Sequence, residues 1–172
     1  MTQRVSIEYI NDLDAGAFVG LLGGVYEHSP WVAEAVVNQR PFASKASLQE
    51  AMKNIVEQAD DEARLQLLKA HPEFAGKPSQ ALTASSTSEQ GRLSLNSLPA
   101  DKHVKMQGYN RRFMEKFGFP GIVAVRLNNS VEEIFEQFDR RLGNDQQTEI
   151  KTAMRLVHAI VDFRLADIIV KS

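Results

Sequence analysis

The sequence predicts an all-α fold of about seven to nine helices. Apolar residues recur at helical spacing along almost the whole chain, helix-capping residues precede these runs, and only one short β-branched run interrupts the pattern. The 172 residues are 43% hydrophobic and 24% charged, which is typical of a globular protein with a substantial core. Because no repeat, heptad array or linker divides the chain, we predict a single domain over residues 1–172.

Start and stop residues place the individual helices. Serine and aspartate side chains accept hydrogen bonds from the free N–H groups of a first helical turn, and proline fits the first helical position. In chain order, the predicted helices begin at Asp14, Ser29-Pro30, Ser47, Asp60 or Asp61, Glu89, Asp101, Ser130 and Asp145. Their predicted ends, mostly marked by proline or glycine, lie near Gly23, Pro41, Gln58, Pro72, Gly118, Gly143 and Val170.

Two irregular segments interrupt the helical pattern. Residues 72–88 contain Gly76, Pro78 and a run of serine and threonine, which predicts a long loop. A loop of this length in a compact domain is usually functional or disordered. The second segment begins at Phe119-Pro120-Gly121 and continues into residues 122–125, a short β-branched apolar run that we expect to be extended and buried.

Charge and residue types exclude several classes of protein. There are 20 Lys and Arg against 22 Asp and Glu, a net charge of −2, whereas nucleic-acid-binding modules are usually basic. The absence of cysteine excludes disulfides, zinc fingers, iron–sulfur clusters and thiol nucleophiles. The sequence has no pair of histidines at metal-ligand spacing, no signal peptide, and no apolar run near the roughly 18 residues that span a membrane. We therefore expect a cytoplasmic protein that binds neither nucleic acid nor membrane and holds no metal.

His71 is the first candidate functional residue. It ends a predicted helix directly before Pro72, and the residue before a proline is disfavoured in the α-helical region. A helix C-terminus stabilises a protonated imidazole, which suits a proton donor. The alternative is a packed or helix-capping histidine, as for His28, His103 and His158.

The run Ser86-Thr87-Ser88-Glu89-Gln90 is the second candidate. Ser86 and Glu89 have the spacing of a capping box, so one interpretation is simply a helix start. The other is a ligand site, because free N–H groups at a helix N-terminus bind anions. Hydroxyl, carboxylate and carboxamide groups within one turn would also bind a small polar ligand.

Arg164 is the third candidate. A helical wheel of the last helix places it on the apolar face, among residues such as Val157 and Val161. An arginine directed at a core needs a partner, because an unpaired buried charge is very costly. One interpretation is an ion pair with Glu89 or Glu27; the other is an arginine that binds two oxygens of a ligand.

Several short blocks, in order along the chain, form a pattern. They are Glu27-His28-Ser29-Pro30-Trp31, the run His-Pro-Glu-Phe-Ala-Gly-Lys from His71 to Lys77, Ser88-Glu89-Gln90, Phe117-Gly118-Phe119-Pro120 with residues 122–126, and Phe163-Arg164-Leu165. Together they resemble the 2-oxo-4-hydroxy-4-carboxy-5-ureidoimidazoline (OHCU) decarboxylases. Phe74 replaces the usual leucine of that family, and Leu93-Ser94 replaces a usual Ala-Gly pair. Gly121 replaces a common aromatic residue, which we expect to widen the pocket.

The resemblance implies an all-α homodimer without a cofactor that acts in urate breakdown, releasing CO₂ from OHCU, a ureide, to give (S)-allantoin. It implies His71 as the general acid/base, Glu89 with Gln90 as partners of the hydroxyl and ureido groups, and Arg164 as the residue that fixes substrate oxygens. The implied pocket lining is Pro72, the backbone of Ser86, Thr87, Ser88, Glu89 and Gln90, and the backbone of Gly121, Ile122, Val123, Ala124 and Val125.

Two alternatives remain at this point. One is a non-catalytic helical module that binds a ureide or a protein partner, with His71 and Arg164 in structural roles. The other is a ureide hydrolase, which is less well supported because the sequence contains no evident metal ligands and no nucleophile–base pair.

Overall fold

The computed structural model describes residues 4–74 and 84–170, apart from the side chains of residues 84–86 and 96. Within these ranges the chain forms α-helices and short 3₁₀ helices but no β-strand, and one isolated bridge pairs Val5 with Ile169. The α-helices, α1 to α9, are Ile7–Asp12, Ala15–Leu22, Trp31–Val36, Lys45–Gln58, Asp61–Lys69, Ala84–Arg92, Ala100–Phe117, Val131–Arg141 and Gln146–Ile168. The 3₁₀ helices are Val37–Gln39, Leu95–Ser97 and Val125–Leu127. The prediction of an all-α fold with seven to nine helices is confirmed.

The caps confirm most predicted helix boundaries. Asp14, Asp60, Ser130 and Asp145 each accept a hydrogen bond from the backbone N–H three residues ahead, at the starts of α2, α5, α8 and α9. Gly118 ends α7 in the left-handed conformation (φ 77°), which favours glycine. None of the helices in the described ranges is both long and apolar enough to cross a membrane.

The starts of α4 and α3 differ from the predicted ones. Ser47 does not cap α4; the cap is Ser44, whose hydroxyl accepts from the Ser47 N–H at 3.1 Å while its own N–H donates to Ser47 Oγ at 3.0 Å. The two serines lie three residues apart, so the sequence motif fits either register. The start of α3 is shifted by one, because Pro30 occupies the cap position and the Ser29 hydroxyl donates instead to the Glu27 carbonyl at 3.2 Å.

The first irregular segment is shorter than predicted. Helix α6 begins at Ala84 rather than at Glu89, so Ser86 is a helical residue and not a cap. Helix α6 lies against the 3₁₀ helix Val125–Leu127, and this packing overrides the weak helix propensity of the serine and threonine run. Residues 75–83, also predicted as loop, lie outside the described residues. Helix α1 was not predicted.

Backbone contacts divide the chain into two compact units, Met1–Leu67 with His158–Ser172, and Leu68–Val157. The prediction of a single domain over residues 1–172 therefore stays a prediction. In the first unit, α3 packs against α2 and α4. Its core contains the fully buried side chains of Ile10, Phe18, Leu22, Val36, Leu48, Met52, Val56 and Leu165.

The core of the second unit is aromatic. Phe138 is at its centre, with ring centroids 5.0 Å from Phe113, 5.4 Å from Tyr109 and 6.4 Å from Phe74. Phe117 packs against Phe113 at 5.5 Å. These rings join α7, α8 and the chain that follows His71, so that stretch of chain rests on a rigid cluster.

A histidine in the first unit should make stability depend on pH. The Tyr26 hydroxyl oxygen lies 2.9 Å from His158 Nδ1, and burial, opposed in part by Glu57, lowers the pKa of His158 below its usual 6.5. Below about pH 6.5 the unfolded chain takes up this proton more readily than the folded chain, so the free energy of unfolding should fall as pH falls. The free energy of unfolding, measured with urea, should fall less between pH 7.5 and pH 5.5 for His158→Gln than for the parent. His103→Gln, at an exposed position, is the control, and equal differences for all three proteins would contradict the prediction.

Candidate active site

His71 lies where the sequence predicts it, just beyond the C-terminal end of α5. Its backbone N–H donates to the Leu68 carbonyl at 3.2 Å, which continues the last turn of the helix. His71 is only 9% exposed, and Pro72 and Phe74 after it are also buried. The imidazole is therefore held in a segment fixed at both ends, between a helix terminus and the aromatic cluster.

Two side-chain amides hold the chain that follows His71. Gln90 Nε2 lies 3.4 Å from the Glu73 carbonyl oxygen, and Asn110 Nδ2 donates to the Phe74 carbonyl at 2.9 Å. Both side chains are buried, at 3% and 2% exposed. The sequence-based prediction places Gln90 on the substrate, whereas the structure gives it this contact with the main chain beside His71. Asn110 is absent from the predicted site, although it follows Met106 by four residues on the apolar face of α7.

Helix α6 carries the second group of candidates. Thr87 and Ser88 are exposed, Glu89 is half-buried and Gln90 is buried; the Ser86 side chain lies outside the described residues. Since the helix begins at Ala84, the N–H groups of residues 88–90 fall beyond its first turn. Anion binding by free N–H groups at this end of α6 therefore does not extend to Glu89 and Gln90.

The segment Gly121–Val125 is buried, as predicted, but only part of it is extended. Ala124 has extended dihedral angles, whereas Val125 opens the 3₁₀ helix. Several of its carbonyl groups have protein partners: Ala124 O accepts from the Leu127 N–H at 2.9 Å and from Asn128 Nδ2 at 3.0 Å. By contrast, the N–H groups of Ile122 to Ala124 have no acceptor among the residues that the structure describes. Buried N–H groups are almost always hydrogen-bonded, so this edge suits a ligand with carbonyl or carboxylate oxygens.

Gly121 does not widen a pocket, contrary to the prediction. A Cβ atom at this position would lie 2.7 Å from Phe138 Cε1 and 3.2 Å from Phe113 Cδ2. The missing side chain lets the segment lie directly on the aromatic rings. The space that an aromatic residue would occupy is filled here by the core of the second unit.

Replacing Gly121 with alanine should therefore destabilise the protein. The methyl group forces two buried rings apart, and such overpacking costs about 1–3 kcal/mol in the free energy of unfolding. Gly108→Ala in α7 is the matched control, because no described atom outside its helix backbone lies within 4 Å of the added Cβ. We expect that control to gain up to about 1 kcal/mol from helix propensity. Chemical denaturation measures both changes, and equal stability of the two variants would contradict the packing.

Arg164 lies on the buried face of α9, as the helical wheel predicts, and belongs to the first unit. It is 2% exposed, and its Nη1 donates to Glu27 Oε2 at 2.7 Å and to the carbonyls of Val25 at 3.2 Å and Gly24 at 3.4 Å. The structure shows the ion pair with Glu27, one of the two partners considered. Such a pair holds a guanidinium in one orientation, which agrees with a structural role and equally with presentation to a ligand.

The remaining candidates all lie in the other unit. His71, Pro72, residues 86–90 and Gly121–Val125 all belong to the second unit. Within the described ranges, no group of three or more His, Asp or Glu side chains could hold a metal ion.

Comparison with known proteins assigns the family. The family model of the OHCU decarboxylases matches residues 11–166. The chain belongs to the OHCU decarboxylase family. A similar relative is the 2-oxo-4-hydroxy-4-carboxy-5-ureidoimidazoline decarboxylase of Haloferax volcanii, 39% identical over 95% of this chain and 96% of the relative.

Solved structures agree with this assignment. A crystal structure of (S)-allantoin synthase matches with a TM-score of 0.73 and 29% identity, over 96% of this chain and 54% of that one. A crystal structure of an OHCU decarboxylase in the presence of (S)-allantoin has a TM-score of 0.68 over 83% of this chain and 93% of that one. At 20% identity, the second likeness is one of fold.

Proposed function

We propose that this protein decarboxylates OHCU to (S)-allantoin in urate degradation. The observation that carries the proposal is the family match, which extends through every block with a candidate residue. The buried N–H edge of Ile122 to Ala124 is consistent with it, because a ureide offers carbonyl oxygens that accept from such an edge as a neighbouring strand would.

The substrate explains why such a reaction needs few protein groups. Its carboxylate is on a carbon that bears a hydroxyl and adjoins a conjugated ring C=N bond. When the C–C bond breaks and CO₂ leaves, the electron pair moves into that conjugated system. The nitrogen of that former C=N bond takes up one proton. The ring carbon of the same bond takes up a second proton as the hydroxyl loses its own and becomes a carbonyl. The protein has to bind, orient, stabilise developing negative charge and deliver that proton to one face.

We propose His71 as the proton donor. Its backbone is held at the end of α5, and Asn110 binds the chain three residues further on, at the Phe74 carbonyl. A proton donor fixed in this way can deliver its proton to one face of the substrate. Glu89 is proposed to engage the substrate hydroxyl as that group loses its proton. Gln90 supports the His71 segment through Glu73, in addition to the ureido contact that the family resemblance implies.

Arg164 is proposed to bind substrate oxygens, with Glu27 orienting its guanidinium. Pro72, Ser86, Thr87, Ser88 and the backbone of Gly121–Val125 are the proposed lining. From the family resemblance we also propose a homodimer in the cytoplasm that uses no metal or other cofactor.

The proposed activity can be tested with freshly generated OHCU. Protein treated with a chelator and then dialysed should accelerate the loss of OHCU above the uncatalysed rate, in proportion to protein concentration. Untreated protein is the control for metal dependence. A rate equal to that of buffer alone, with protein of native helical content, would contradict the proposal.

A further inference from the structure

Arg141 and Glu149 form a buried ion pair in the second unit. The Arg141 Nε donates to Glu149 Oε1 at 3.0 Å, and its Nη2 donates to the same oxygen at 2.5 Å. The other carboxylate oxygen accepts from Asn144 Nδ2 at 2.8 Å. The arginine side chain is 8% exposed and the glutamate 0%. Since the pair joins the last turn of α8 to the first turn of α9, each charge also complements a helix dipole.

The third nitrogen of this guanidinium donates to the main chain of a candidate site segment, Gly121–Val125. Arg141 Nη1 donates to the Ile122 carbonyl at 2.6 Å. The guanidinium carbon also lies 5.5 Å from the ring centroid of Phe113 and 5.9 Å from that of Phe138, the rings on which Gly121 rests. One fixed side chain therefore holds the segment Gly121–Val125 from the core side.

This contact determines where a neighbouring N–H group points. The Ile122 carbonyl and the Val123 N–H belong to one planar trans peptide, in which the two groups point in opposite directions. Fixing the oxygen on Arg141 directs the Val123 N–H away from the ion pair. A cation on the carbonyl also polarises the amide and strengthens its N–H as a donor. Val123 is 1% exposed, and its N–H has no acceptor among the described residues.

We infer that Arg141, held by Glu149, is a positioning residue that directs the Val123 N–H at an oxygen of the ureide substrate. The inference rests on the proposed function, because it concerns the direction of the Val123 N–H group within the proposed site. Arg141 touches the main chain and not the substrate. Its loss should therefore weaken binding of the ground state and of the transition state alike, which raises KM and leaves kcat little changed.

The test uses one conservative variant and one paired replacement. Arg141→Lys keeps the charge, but its single ammonium group cannot reproduce the two hydrogen bonds to Glu149 together with the one to the Ile122 carbonyl. The double variant Arg141→Met with Glu149→Leu removes both charges, and replacing a buried pair by apolar residues is often neutral for stability. In both proteins we expect KM for OHCU and Kd for (S)-allantoin to rise about tenfold, the worth of one directed hydrogen bond, with kcat within about twofold of the parent. Arg140→Lys, at an exposed position in the same helical turn, should leave both constants unchanged.

Each result decides the question. A lower melting temperature with unchanged KM and Kd in the folded double variant would overturn the inference and leave the pair a purely structural one. A fall in kcat at constant KM would overturn it too, since Arg141 would then act on the chemical step. If neither the parent nor Arg140→Lys turns over OHCU, the proposed function itself fails. That outcome is distinguishable, because it does not depend on Arg141.

Discussion

Replacing His71 with asparagine should lower kcat for OHCU decarboxylation about 10²–10⁴-fold, the usual worth of a positioned acid or base. Asparagine preserves the size and polarity of the side chain but has no titratable proton. The local fold should persist, because the substitution leaves in place the hydrogen bond of the residue 71 backbone N–H and those of Gln90 and Asn110 to the chain that follows. Steady-state rates and the far-ultraviolet circular dichroism spectrum of one preparation would measure both effects.

His103→Asn is the matched control for this experiment. His103 is an exposed residue of α7, and we expect the variant to keep parental kcat and stability. Near-parental turnover by a folded His71→Asn protein would assign His71 to packing or helix capping, the alternative that the sequence left open.

Arg164→Lys is expected to reduce kcat/KM. The fall should correspond to a loss of about 2–4 kcal/mol in transition-state stabilisation, as expected for removal of one preorganised donor. Lysine keeps the charge but loses the planar fork that binds two oxygens together. The structure adds a cost in stability, because one ammonium group has to replace a guanidinium that binds Glu27 and the carbonyls of Val25 and Gly24. We therefore expect the melting temperature to fall as well.

The two effects are separable on a single preparation. Arg155→Lys, at an exposed position of the same helix, controls for the change of residue type and should alter neither quantity. A large fall in melting temperature with unchanged kcat/KM would remove Arg164 from the proposed site and leave it an internal ion-pair partner of Glu27.

Local signals predicted the helices well because a cap is a local interaction. The carboxylates of Asp14 and Asp145 accept hydrogen bonds from N–H groups three residues ahead. Such a cap does not depend on residues that are distant in the sequence. Where two local solutions compete, the sequence is ambiguous, as with Ser44 and Ser47. Helix α6 was predicted too short because its packing against Val125–Leu127 joins residues far apart in sequence, and tertiary contacts of this kind override propensity.

The candidate site could be predicted only in part. The helical wheel placed Arg164 on the buried face, and the sequence offered Glu27 or Glu89 as its partner, but only the structure shows the pair with Glu27, 137 residues away. Arg141 carries the same signal, since it follows Phe138 by three residues on the apolar face of α8, yet it is absent from the predicted site. Gly121 was misread because its surroundings, the rings of Phe138 and Phe113, come from two other helices.

The optical activity of the allantoin formed tests the central claim most directly. OHCU generated in situ also loses CO₂ unaided, and that route has no preference for either face. Circular dichroism of the product, recorded during turnover at a protein concentration that outpaces the uncatalysed reaction, should develop the signal of (S)-allantoin in excess. Racemic allantoin formed at the uncatalysed rate would contradict the assignment of this protein as a decarboxylase that delivers a proton to one face of its substrate.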